Sequence, residues 1–186
     1  MGQSKAARPG GATEMASGVR IRAGAFTTIL EHPHPALARP SYDVDPRDPE
    51  IVELSAMLIG RMRTTPGCVA LSAPQLGRNV RLFCLGVNGL VVLANPEILA
   101  LSGDVVMREG CTSVPGFSGD LARARDVVLA GVLPGTGRKV IVETEGLEAR
   151  RILHHMDHLD GILFLDRVPD PHRAAVTCLQ DAARKR

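Results

Sequence analysis

Apolar positions recur at helical spacing in two stretches of this chain and at strand spacing between them. In DPRDPEIVELSAMLIGRMRTTPG, which starts at Asp45, residues Ile51, Leu54, Met57, Leu58 and Met62 fall on one stripe of a helix. Pro49 suits a first turn and Gly67 follows the end, so an amphipathic helix is predicted over roughly residues 49 to 65. The period then changes. VRLFCLGV, LVVLANPEIL and DVVMREG read as short strands separated by Gly, Asn and Pro, and DVVLAGVLPGTGRKVIVETEG reads as two more around a PGTGR turn. Helical spacing returns in GLEARRILHHMDHLDG, where Leu147, Ile152, Leu153, Met156 and Leu159 are core candidates and Gly161 supplies the stop. The segment from Phe164 to His172 and a short basic C-terminal helix complete the pattern. The expectation is an α+β fold, with a central helix packed against small, mostly antiparallel sheets.

Composition narrows this picture. Residues 1 to 24 are rich in Gly, Ala, Ser and Arg without apolar periodicity, so they are expected as a flexible tail ahead of a single domain at 25 to 186. With 22 basic and 20 acidic residues the net charge is +2, too small for a surface built to neutralise phosphates, and nucleic acid is not an expected partner. The cysteines at 68, 84, 111 and 178 show neither CxxC spacing nor a dense framework, which suits a reducing cytoplasm. No apolar run approaches the roughly 20 residues that span a bilayer, and the polar N-terminus lacks the apolar centre of a secretory signal. Membrane and export are therefore not expected.

The chemistry is concentrated late in the chain. His154 and His158 stand four apart on the second predicted helix, so both imidazoles project from one face and can meet one ion. Alone, such a pair reads equally well as two imidazoles capping or solvating a helix face. Cys111, in REGCTSVPG, is expected in a loop after a strand, where Gly110 lets backbone come close to an ion; alone, it reads as an ordinary buried cysteine.

Three segments in order resemble the motifs of the peptide deformylase family: CVALSAPQLG at 68 to 77, EGCTS at 109 to 113 and HHMDH at 154 to 158, against GxGLAAxQxG, EGCxS and HExDH. ILEHPHPAL at 29, VPG after the second motif and HLDGILFLDR closing the third extend the likeness over about residues 25 to 168. The resemblance implies a peptide-deformylase-like fold, with Cys111, His154 and His158 as ligands of one divalent metal, Fe(II) first, with zinc, nickel or cobalt also able to serve. Three protein ligands with a fourth position left open is the catalytic arrangement. It further implies that Gln75, which alone reads as a turn residue before Gly77, and the backbone N–H of Thr112 bind the oxyanion, and that metal-activated water hydrolyses an N-formylated peptide or a small amide. Glu109, Arg123 and Asp157 read as orienting or scaffold residues, or as plain surface charges. A monomer or weak dimer is expected.

The pattern breaks at His155, which stands where the family has its catalytic glutamate. A glutamate becomes neutral on accepting a proton, whereas a histidine becomes a cation beside a divalent ion, so His155 is expected to be the weaker base. Cys68 and Ala70 replace two glycines of the first motif, Leu153 replaces a glutamine, and Ser118 stands where many members carry a basic residue. Two functional readings follow: a divergent deformylase with much reduced activity or a changed substrate, and a non-catalytic descendant that binds metal and a peptide end. An engineered Glu→His replacement is a third, against which Ala70 and Leu153 argue.

Overall fold

A computed structural model of the chain describes residues 28–86 and 89–169. The expected tail at 1 to 24 and the expected C-terminal helix lie outside the described residues. Helix α1 spans Pro49–Thr64, within one residue of the sequence expectation. The Asp48 side chain accepts from the Glu50 N–H at 2.8 Å, Pro49 fills the first position, and Ile51, Leu54, Ser55, Leu58 and Met62 form its buried stripe. Met57, a predicted core position, is only half-buried.

Five strands follow, β1 (Ala70–Ser72), β2 (Leu82–Leu85), β3 (Val91–Cys111), β4 (Val114–Leu133) and β5 (Arg138–Glu145), forming one antiparallel sheet in sequential order. The small separate sheets expected from the sequence are thus one sheet. LVVLANPEIL and DVVMREG merge into β3 because irregularities between Ala94 and Glu97 and between Ile98 and Ala100 absorb Asn95 and Pro96, whose missing N–H would otherwise interrupt the ladder. Cys111 pairs with Val114 across Thr112 and Ser113, so it closes β3 at the tip of the long β3–β4 hairpin instead of lying in a loop.

Helix α2 (Gly146–Leu159) is central, with nine buried residues that reach round most of its circumference. The sheet alternates between the two helices. On β2, Leu82 and Cys84 join the α1 core, while Phe83 and Leu85 join Ala149, Ile152, Met156 and Leu159 of α2. Leu147 departs from the expectation: it is 43% exposed, because it lies on the stripe of α2, shared with Arg151 and His155, that lines an open cavity. Gly161 ends α2 at φ +74, and a Cβ there would lie 2.8 Å from the Arg39 carbonyl carbon. A short helix α3 (Phe164–Arg167) places Phe164 with Leu37, Val114 and Leu121 in a third apolar cluster. Among the described residues, no helix is long and apolar enough to cross a membrane.

Candidate metal centre

Helix α2 and the tip of the β3–β4 hairpin build the site together. Residues 150, 154 and 158 share one stripe of α2, and 147, 151 and 155 share the next. The His154 and His158 rings lie 5.0 Å apart between centroids, and the hairpin brings Cys111 Sγ to 3.2 Å from His158 Nε2. One ligand atom from each of Cys111, His154 and His158 lies within 4.8 Å of the others.

The electrostatics favour a cation at this point. Burial pushes the Cys111 thiol up, but hydrogen bonds and charge from His154 and His158 outweigh it and lower the group to about 5. The thiolate is the form that ligates metals. Burial likewise opposes protonation of His154, yet Cys111 and Glu109 raise it to about 9. A divalent ion would displace these protons and answer the same negative charge, so the donor set fits a metal. His154 Nδ1 meets Glu109 Oε2 at 3.1 Å, which leaves Nε2 as the ligating nitrogen.

Beneath His154 lies a buried charge network. Burial raises the Glu109 carboxyl, but bonds from His154 and Arg123 override this and hold it at about 2. Arg123 grips Glu109 with two nitrogens and reaches Asp157 at 2.8 Å. Arg167 clamps Asp157 with bonds of 2.7 and 2.6 Å. Arg150 joins Glu109 at 2.7 Å and donates to the carbonyls of Met107, Val105 and Leu121. These four bonds from its two terminal nitrogens offset the burial of a 2% exposed arginine, although its Nε has no partner among the described residues.

Gln75 sits in a short 3-10 turn after β1, where it is 1% exposed. Its Oε1 accepts from the Ser72 backbone N–H and hydroxyl at 3.0 Å, while Nε2 lies 3.1 Å from Ser113 Oγ, 3.2 Å from Thr112 Oγ1 and 3.8 Å from Cys111 Sγ. The amide is therefore held with its donor end at the hairpin tip. A cavity of about 220 Å³ adjoins these groups, lined by Gln75, Cys111, Thr112, His154 and His155 among others.

His155 is in the site but outside the ligand cluster. Its ring stacks on Phe83 with centroids 6.1 Å apart and on His158 at 5.7 Å, and Nδ1 is buried without a hydrogen-bond partner among the described residues. Burial, then the positive charge of His154, His158 and Arg123, pushes the imidazole well below its ordinary 6.5. Of the smaller departures, Ala70 pairs with Leu85 and joins the α2 core, Cys68 Sγ donates to the Ala70 carbonyl at 3.2 Å, and Leu153 is half-buried against the same core. Ser118 accepts from Arg108 Nε at 2.9 Å, so a guanidinium reaches position 118 from the neighbouring strand.

A family model described as polypeptide deformylase matches residues 26–174. The chain belongs to the polypeptide deformylase family. Peptide deformylases of Carboxydothermus hydrogenoformans and Acidothermus cellulolyticus are 37% identical over 140 residues and 39% over 150, spanning 75% and 80% of this chain and 91% and 82% of theirs. Among solved structures, the Thermotoga maritima peptide deformylase is similar with a TM-score of 0.72 at 32% identity, over 76% of this chain and 97% of that one. The Synechococcus elongatus peptide deformylase, solved in complex with actinonin, gives 0.76 at 30% identity, over 86% and 91%.

Within this deformylase fold, sequence reasoning missed Ser72 and Ser113, which orient Gln75, and Arg150 and Arg167, which complete the charge network. Arg150 carried a usable signal: it stands four residues before His154, on the ligand stripe of the helix.

Proposed function

We propose that this chain is a metal-dependent amide hydrolase of the deformylase type, acting on the N-formyl group of formyl-methionyl peptides or on a related amide, with turnover well below that of its relatives. The supporting observation is the convergence of Cys111, His154 and His158 beside the donor end of Gln75 in one cavity. Fe(II) is the proposed ion, with zinc, nickel and cobalt as alternatives; when bound, it acts as a Lewis acid on the carbonyl and strengthens water as a nucleophile.

The chain's own residues would then divide the work. Cys111, His154 and His158 hold the ion, and Glu109 fixes the His154 tautomer. Gln75 and the backbone N–H of Thr112 receive the charge that develops on the formyl oxygen, and such donors are worth about 3 to 4 kcal/mol each. The elements of water add across the C–N bond: the formyl carbon takes oxygen, the bond breaks, the amine nitrogen takes a proton and formate leaves. His155 stands where the family's proton carrier would be, but a protonated imidazole beside a divalent ion is disfavoured by like charge. Loss of a well-matched base lowers the rate by about 10² to 10⁴. A monomer or weak dimer in the cytoplasm is the proposed setting, which a free Cys111 suits.

A second reading, a descendant that binds metal and a peptide end without turnover, is favoured by the packing of His155 on Phe83, which treats the ring as a core residue. The test is formate release from formyl-Met-Ala by the Fe(II)-loaded protein, with actinonin binding measured alongside. His155→Glu is expected to be faster than wild type by about 10² to 10⁴. Wild-type turnover equal to that of His155→Glu would overturn the reduced rate. Turnover abolished in His155→Ala would make histidine the working base, and actinonin binding with no turnover in wild type or His155→Glu would favour the second reading.

A further inference from the structure

The cavity beside the candidate metal centre has a wall that its proposed chemistry does not use. Leu147, Arg151 and Arg108 all line it. Leu147, Arg151 and His155 are spaced four apart on α2, so Arg151 precedes His155 by one helical turn, about 5 to 6 Å along the axis. Charge on the lining is unbalanced. Glu109 is committed to Arg123, Arg150 and His154, and Arg150 is committed to Glu109 and three backbone carbonyls. The Arg151 guanidinium is held more loosely: its side chain is 24% exposed and meets Glu148 at 3.5 Å. Arg108, which bonds Ser118 and pairs with Asp120 at 4.0 Å, adds a second positive charge to the lining.

A half-buried guanidinium facing an apolar substrate side chain gives up water without gaining a partner, which costs affinity. Facing a carboxylate, it gains a charge-assisted hydrogen bond in planar geometry. We propose that this cavity selects substrates bearing a carboxylate on the residue next to the scissile amide, with Arg151 as the specificity-determining side chain and Arg108 adding to the attraction. The proposal rests on the deformylase reading above and names its substrate class. A glutamate side chain has nearly the reach of methionine, so the change required is one of charge and not of size.

The test compares formyl-Glu-Ala with formyl-Met-Ala, by calorimetric titration of the Fe(II)-loaded protein and by formate release. Formyl-Glu-Ala is expected to bind about tenfold tighter, with the advantage shrinking as salt rises. Arg151→Leu is expected to abolish or invert that preference at unchanged metal content, Arg151→Lys to keep part of it, and Arg108→Leu to reduce it. A formyl-Met preference that Arg151→Leu leaves unchanged would overturn the inference while the deformylase reading stood; the arginine's methylene stem would then form an apolar wall. Failure to bind either peptide with the metal in place would overturn both.

Discussion

The two flanks of the candidate metal cluster are built on opposite principles. On the Glu109 side every charge is answered: Glu109 by Arg123, Arg150 and His154, and Asp157 by Arg123 and Arg167. On the Phe83 side His155 has stacking partners and no hydrogen bond at Nδ1. The first flank orients His154 and ties β3, β4, α2 and α3 together, so it serves both fold and metal. The second holds a polar ring between Phe83 and the two other imidazoles with its Nδ1 desolvated, which costs stability. On the proposed reading, the residues that would hold a metal keep their supporting bonds, while the position proposed to move a proton is the one that departs from the family motif.

The sharpest way to break the satisfied flank is Arg123→Ala. It leaves Glu109 and Asp157 buried with fewer counter-charges, and removing one partner of such a buried network costs about 3 to 5 kcal/mol. Urea denaturation should show that loss, and metal affinity should fall by about 10- to 100-fold because His154 loses its support. A shift below about 1 kcal/mol would mean that Arg150 and Arg167 suffice, and that the network is redundant.

The unsatisfied flank should respond with the opposite sign. His155→Leu removes the unpartnered Nδ1 and keeps an apolar group against Phe83, so the metal-free protein should gain about 1 kcal/mol. Thermal or urea unfolding of the two proteins side by side gives the comparison. A loss of similar size would show that His155 is partnered in solution, and that its ring is held for more than packing.

Legibility from sequence divides along physical lines. Both long helices were readable nearly to the residue because their apolar stripes and end signals agree: Asp48, Pro49 and Gly67 around α1, Gly161 after α2. The first half of β4 was not. Its inward positions are Gly119, Leu121 and Arg123, and a buried face with one leucine between a glycine and a charged residue shows little hydrophobic alternation. What holds it is pairing with β3 and the ion pairs of Arg123, both long-range. The same applies at the site. The spacing of His154 and His158 announces itself within one helix, whereas Cys111 lies 47 residues from His158 and came into view through the resemblance of three motifs. Arg150 and Arg167 find partners that no local pattern encodes.

Leu147 gives the smallest expected effect and isolates one cause of misreading. Helical periodicity placed it with Ile152 and Leu159 in the core, but it is 43% exposed where Ile152 is 1%. The stripe argument takes every apolar position of the helix as core, whereas Leu147 shares with Arg151 and His155 the stripe that lines the cavity, and Ala149 of the same turn is fully buried. Burial, and not hydrophobicity, sets the cost of substitution, so Leu147→Ser should change stability by less than about 0.5 kcal/mol. Ile152→Ala, which empties a packed position between α2 and the sheet, should cost about 2 to 5 kcal/mol. Equal losses in urea denaturation would place Leu147 in a packed environment after all. A small loss of stability with altered peptide affinity would instead assign Leu147 to the cavity wall it lines with Arg151.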